Sequence, residues 1–185
     1  MRLKTALTAL AIAAMSVAAA PASWANSLTY QDVVFNLNAG AGNTLVLEIN
    51  NVSSASGNWT GIKYLSAFSL NNIGVSSLSL DGWNQSSLQL NASGCSGGSS
   101  SNLCFTSTPS PLLLANDNTF TMAYTGTLDL SAPHLMVNFM ISDTQDKKTG
   151  SNLSQTVSVP EPASLLLLGA GLAGIGIWRR KVSKG

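Results

Sequence analysis

Apolar and polar side chains alternate with a period of two through the middle of this chain. Leu45, Leu47 and Ile49 alternate with Thr44, Val46, Glu48 and Asn50. Phe120, Met122 and Tyr124 alternate with Thr119, Thr121 and Ala123, and Leu135, Val137, Phe139 and Ile141 with Met136, Asn138, Met140 and Ser142. Shorter runs of the same period lie at Val33–Leu37, Ala67–Leu70 and Leu78–Leu80. Such alternation turns one face of a strand into a core and the other toward solvent or a second sheet. Turn-forming clusters separate the runs: Asn38-Ala39-Gly40, Ser56-Gly57-Asn58, Asn71-Asn72-Ile73-Gly74, Asp81-Gly82 and Ala115-Asn116-Asp117-Asn118. The segment Gly61 to Leu70 is read as a strand from about Tyr64. No stretch between the termini holds a helical period over three turns. The pattern predicts a mainly β body over residues 26–158, an antiparallel β-sandwich or jelly-roll-like fold, with a partly closed barrel as a further arrangement.

The two ends break the alternation with continuous apolar runs. At the N-terminus, Arg2 and Lys4 precede an apolar stretch from Leu7 to Ala20, and Ser23-Trp24-Ala25 places small residues where a signal peptidase reads. Residues 1–25 are therefore expected to be a signal peptide cleaved after Ala25, with an uncleaved anchor as the alternative. At the other end, Pro160, Glu161 and Pro162 disfavour helix. An uncharged run of 16 residues, Ala163 to Trp178, follows, and then the cations Arg179, Arg180, Lys181 and Lys184. The run is apolar on nearly every face, unlike a helix packed on a soluble domain. As a helix it would span about 24 Å, short of the ~30 Å hydrocarbon core, which fits a weak or temporary transmembrane anchor. Arg179, Arg180 and Lys181 would stop transfer on the cytoplasmic side and leave the body outside the cytoplasm.

The order Val159-Pro160-Glu161-Pro162, a short Leu/Gly/Ala span, then Arg179-Arg180-Lys181 at the C-terminus resembles the PEP-CTERM sorting signal, over residues 159–185. The resemblance implies export and transfer to an exosortase, an integral-membrane cysteine transpeptidase-like enzyme, in bacteria that make exopolysaccharide and biofilm or floc. Pro160, Glu161 and Pro162 are the residues it singles out for sorting. It specifies an address and leaves the work of the body open.

Composition narrows that work. Between Asn26 and Ser158 three lysines stand against seven acidic residues, a net charge of −4 over 133 residues. Six of the nine cations of the whole chain lie in the two terminal segments, so the formal charge of +1 misrepresents the body. A typical domain carries about a quarter charged residues. A body this poor in cations is not built to bind nucleic acid or anionic lipid. Ser, Thr, Asn and Gly fill its polar positions, a surface suited to a hydrated polysaccharide matrix and common among secreted β proteins.

Few residues offer chemistry. Cys95 and Cys104 are the only cysteines, nine positions apart across a Ser/Gly run. In an exported chain they are expected to form a disulfide that pins the ends of a flexible loop. The spacing does not match a CxxC redox pair, and with one histidine it does not make a zinc site. His134 has no GxSxG elbow to serve, no dense acidic cluster occurs, and Asn116-Asp117-Asn118 lacks the later ligands of a calcium loop. No catalytic residue, metal ligand or cofactor is assigned. Trp59 and Trp83, each beside an amide or hydroxyl residue in a turn-like context, are the candidate sugar-stacking residues, with core packing as the competing role.

The sequence thus predicts an exported, non-enzymatic cell-surface or matrix protein associated with exopolysaccharide. A carbohydrate-binding module is the alternative, and a small secreted hydrolase is a weaker one. Expected partners are the Sec translocon and signal peptidase during export, then exosortase, then exopolysaccharide. The expected route runs from an inner-membrane-anchored precursor with a periplasmic body to the cell surface or extracellular matrix.

Overall fold

The alternating runs form strands that pair into two antiparallel sheets. The structure, a computed structural model, describes residues 26–143 and 147–157. The first sheet has the order β1 (Asn26–Tyr30), β2 (Val33–Ala39), β3 (Thr44–Asn50), β9 (Asn118–Tyr124) and β5 (Leu78–Ser79). The second runs β11 (Lys147–Thr156), β10 (His134–Met140), β4 (Tyr64–Asn71), β7 (Gly94–Ser107) and β6 (Trp83–Asn91), with the short β8 (Leu112–Leu113) paired to β4. The expected mainly β body and the start of β4 at Tyr64 agree with this arrangement. The predicted signal peptide and C-terminal anchor lie outside the described residues. Among those described, no helix is long and apolar enough to cross a membrane.

Inward-facing side chains of both sheets make one core. The first sheet contributes Val33, Phe35 and Leu37 from β2, Leu45, Leu47 and Ile49 from β3, and Phe120 and Met122 from β9. The second contributes Leu65, Phe68 and Leu70 from β4, Leu103 and Phe105 from β7, and Leu135, Val137 and Phe139 from β10. Burying each large apolar side chain is worth about 1.5–3 kcal/mol against leaving it in water. Phe68 stacks on Phe105 with centroids 4.9 Å apart, one strand over in the same register row. Gln85 links the sheets at one side: its Oε1 accepts from the Leu78 N–H at 3.3 Å.

Two short 3-10 segments, Val52–Ser54 and Gly57–Trp59, close one end. The two-residue turn between β1 and β2 uses Gln31 and Asp32 at φ 48° and 66°, where side chains with a Cβ are strained. Its geometry is held from outside. The Gln31 carbonyl accepts from Ser56 N–H at 2.9 Å, and its side-chain Oε1 accepts from Trp59 N–H at 2.8 Å. The Asn116-Asp117-Asn118 segment is indeed a turn with a fastening role. Asn116 Oδ1 accepts from Ser53 N–H and Asp117 Oδ1 from Asn51 N–H, each at 3.1 Å.

The second sheet departs from simple alternation. Along β4 and β10 the outward residues Ala67, Ser69, Asn138 and Met140 are buried as well as the inward ones. Something covers that outer face, and the Cys95–Cys104 region supplies the cover.

Candidate functional site

The tryptophans nominated for sugar stacking face the core. Trp59 is fully buried, which removes it from any ligand-stacking role in this state. The 3-10 turn at Gly57–Trp59 drives its ring between the sheets, where it meets Phe139 of one sheet at 4.9 Å and Phe35 of the other at 5.9 Å, with Tyr30 at 5.0 Å. A large apolar ring gains more from burial between two sheets than from exposure at their end. Trp83 is half-buried and packs edge-on against Phe68 at 5.1 Å and Phe120 at 5.8 Å. Neither ring lies flat on the surface.

Cys95 and Cys104 form a disulfide with a Cα–Cα distance of 5.7 Å. The Ser/Gly run between them, expected as a loop, is part of β7, paired to β6. Cys104 opposes Ser86 and Cys95 opposes Leu90, while Leu88 opposes Ser99, so β7 carries extra residues at two register shifts. These bulges bend the hairpin, and the disulfide holds its distal half folded back over the outer face of the second sheet. Gly97 permits the close approach, since a Cβ there would lie 2.8 Å from both the Cβ and the carbonyl oxygen of Gln89. A second small cluster forms beneath: Leu90, Cys104 and Ala67 buried, with Cys95 and Met136 against them. Asn138 Nδ2 donates to the Ala92 carbonyl at 3.4 Å, anchoring the hairpin tip.

Beside this folded-back tip lies a groove of about 440 Å³. One wall is Ser93 and Gly94 of the tip; the other is the loop Ser107–Pro111. Ser66, Thr106, Asn138 and Met140 form the floor, and Asp143 also lines the groove. Register explains the floor. Asn138, Ala67 and Thr106 occupy one outward row across β10, β4 and β7. The pairing then slips between Asn138–Ala67 and Phe139–Leu65, which leaves Ser66 as an extra residue in β4. That bulge aims Ser66 outward, and its hydroxyl donates to the Asn138 carbonyl at 3.1 Å. Sequence reading did not find this site. Its only visible sign is the Thr-Pro-Ser-Pro stretch at 108–111, which interrupts an otherwise strand-forming region.

Among the described residues the groove is lined by hydroxyls, one amide, one carboxylate, a thioether and proline rings, without a cation. Beyond Asp143, the described lining holds no titratable group. His134 Nε2 lies 2.9 Å from Ser154 Oγ on the neighbouring strand. Asp129 accepts the Ser131 N–H at 2.9 Å in a loop, and the Ser131 backbone and hydroxyl hold its carboxyl below the ordinary value. Among the described residues no three of His, Cys, Asp and Glu converge as metal ligands would.

The sorting residues Pro160, Glu161 and Pro162 and the cations Arg179, Arg180 and Lys181 lie outside the described residues. Residues 158–181 match the family model of the PEP-CTERM protein-sorting motif, as the tripartite terminus led us to expect. This motif is recognised by exosortase and marks exported proteins that are membrane-anchored before processing. No curated protein and no solved structure matches the chain.

Proposed function

We propose that this exosortase-sorted chain acts without catalysis, as a cell-surface or extracellular-matrix component whose β body contacts exopolysaccharide. The observation that carries this reading is the chemistry of the groove beside the folded-back hairpin. It offers hydroxyls and an amide in a concave site, and among the described lining residues Asp143 is the one titratable group, with no second carboxylate or histidine in that lining. Hydrolysis at a glycosidic bond needs two carboxyl groups flanking one cleft, and proton transfer needs tuned groups within reach of each other. Hydrogen bonding to sugar hydroxyls needs neither. The sorting motif supports the reading from the side of location, since exosortase handles proteins sent out of the cytoplasm.

The test is a deletion with complementation. Loss of the protein is expected to alter aggregation or matrix texture, and a His134→Ala copy is expected to restore the wild-type state. A folded, exported His134→Ala protein that reproduced the deletion phenotype would replace this reading with an enzymatic one. The same groove also supports the narrower reading of a carbohydrate-binding module. Glycan binding by the purified protein without any matrix phenotype on deletion would favour it.

A further inference from the structure

We infer that the groove between the hairpin tip and the Ser107–Pro111 loop is a binding site for a neutral, hydroxyl-rich glycan segment, and that the Cys95–Cys104 disulfide builds one of its walls. This deepens the matrix reading above and rests on it.

The class of ligand follows from what the floor can offer. Its strands are interior. β4 is paired on both sides, by β10 and by β7 and β8, and β10 is paired by β11 and β4. Their backbone groups are committed to the ladders, so an extended peptide finds no edge on which to add a strand. Recognition falls to side chains. Thr106 and Ser93 present hydroxyls that can donate and accept, and Ser66, whose proton goes to the Asn138 carbonyl, presents an acceptor oxygen, the pairing that sugar hydroxyls require. Met140 and the rings of Pro109 and Pro111 supply apolar surface for the C–H faces of a sugar ring. Among the described residues the lining lacks Lys, Arg and His and includes the carboxylate of Asp143. An anionic polymer would be opposed there, whereas a neutral one would meet no electrostatic cost.

The wall follows from the fold. Ser93 and Gly94 stand beside the floor only because the hairpin is bent over the second sheet. Cys95, the next residue, is tied to Cys104, whose partner across β4 is Ser69 on that outer face. Besides the bridge, the small cluster of Leu90, Ala67 and Met136 and the bond from Asn138 to Ala92 hold the tip down.

The full chain in phospholipid nanodiscs is titrated with galactomannan, dextran and hydroxyethyl cellulose as neutral probes, with alginate as the anionic probe and a neutral Ser/Thr-rich peptide as the rival class. At least one neutral glycan is expected to bind. The Ser66→Ala/Thr106→Val double variant is expected to weaken it about tenfold or more, from two lost hydrogen bonds, with the thermal midpoint nearly unchanged. Thr119→Val, on the outer face of the other sheet, is expected to leave binding as it was. The Cys95→Ser/Cys104→Ser variant is expected to weaken binding as well; should it fail to fold, the hydroxyl variants carry the test. Glycan binding unaffected by the Ser66/Thr106 variant would overturn the groove assignment while leaving the matrix reading intact. Preference for alginate or for the peptide, or no neutral glycan bound, would overturn the ligand class.

Discussion

The ring of Trp59 meets that of Phe139 edge to face at 4.9 Å, which carries a 3-10 turn lying outside both sheets into the core of the body. Phe35 closes the contact from the opposite sheet at 5.9 Å. Removing the indole would open a cavity between two sheets that cannot easily collapse. Trp59→Ala is therefore expected to destabilise the body by about 3–5 kcal/mol, and Trp59→Phe by less. Denaturant unfolding of the purified protein measures both. A Trp59→Ala protein of unchanged stability that had lost glycan binding would contradict the burial assigned here.

The disulfide closes a short loop, and the chain-entropy relation gives it about 2–3 kcal/mol. Thiol labelling of exported protein under denaturing, non-reducing conditions is expected to find neither Cys95 nor Cys104. The loss in a Cys95→Ser/Cys104→Ser protein should be local. Amide hydrogen exchange is expected to rise across 88–104, where β6 and β7 bend, while β2 and β3 stay protected. A uniform rise through both sheets would mean that the bridge supports the whole fold.

The alternating strands were readable because a half-buried strand writes its burial into a period of two. Leu45, Leu47 and Ile49, and likewise Phe120 and Met122, sit in the core as their spacing requires. The period weakens where a strand is covered on both faces, as at Ala67, Phe68, Ser69 and Leu70, because Ala and Ser are small enough to be buried without looking apolar. The Ser/Gly run between Cys95 and Cys104 reads as loop since Gly and Ser carry little strand preference, yet the hairpin partner and the disulfide impose one. Trp59 misled because its neighbours Asn58 and Thr60 form a turn, and a turn can present a side chain to the core as well as to water. The groove was invisible because its floor gathers Ser66, Thr106 and Asn138 from three strands, aligned by a bulge that no local pattern announces.

Asp129 provides a pH-dependent contribution to stability. Ser131 donates to its carboxylate, and the pKa in the folded state lies below the ordinary value. A depressed carboxyl favours the folded state at neutral pH, and this contribution is lost as pH falls through the folded-state pKa. Asp129→Asn is expected to lower stability slightly at neutral pH and to leave the most acid end nearly unchanged, which flattens the acid side of the profile, a small effect since the group is exposed. Thermal midpoints across an acid pH series check this. A steeper acid loss in Asp129→Asn would reverse the sign assigned to the Ser131 contact.

The described body ends close, in sequence, to the sorting motif. Val157 is buried, and its N–H donates to the Pro133 carbonyl at 2.9 Å, so the body remains ordered to within three residues of Pro160. A membrane enzyme that reads the motif must do so close to a folded domain. Glu161 carries the only charge between Lys148 and Arg179 and stands between two prolines that restrict the backbone to extended forms. An enzyme gripping this segment would gain one ionic contact from the glutamate. Glu161→Ala is expected to block or strongly slow processing, so that protein of unprocessed mass accumulates with the membrane fraction, while a Glu161→Asp protein keeps part of it. Ser158→Ala, next to the body and lacking any charge, is expected to process normally. Mass spectrometry of each fraction reads the outcome, and a Glu161→Ala protein with wild-type mass and location would show that the dipeptide rigidity of Pro160 and Pro162, not the carboxylate, is what is recognised.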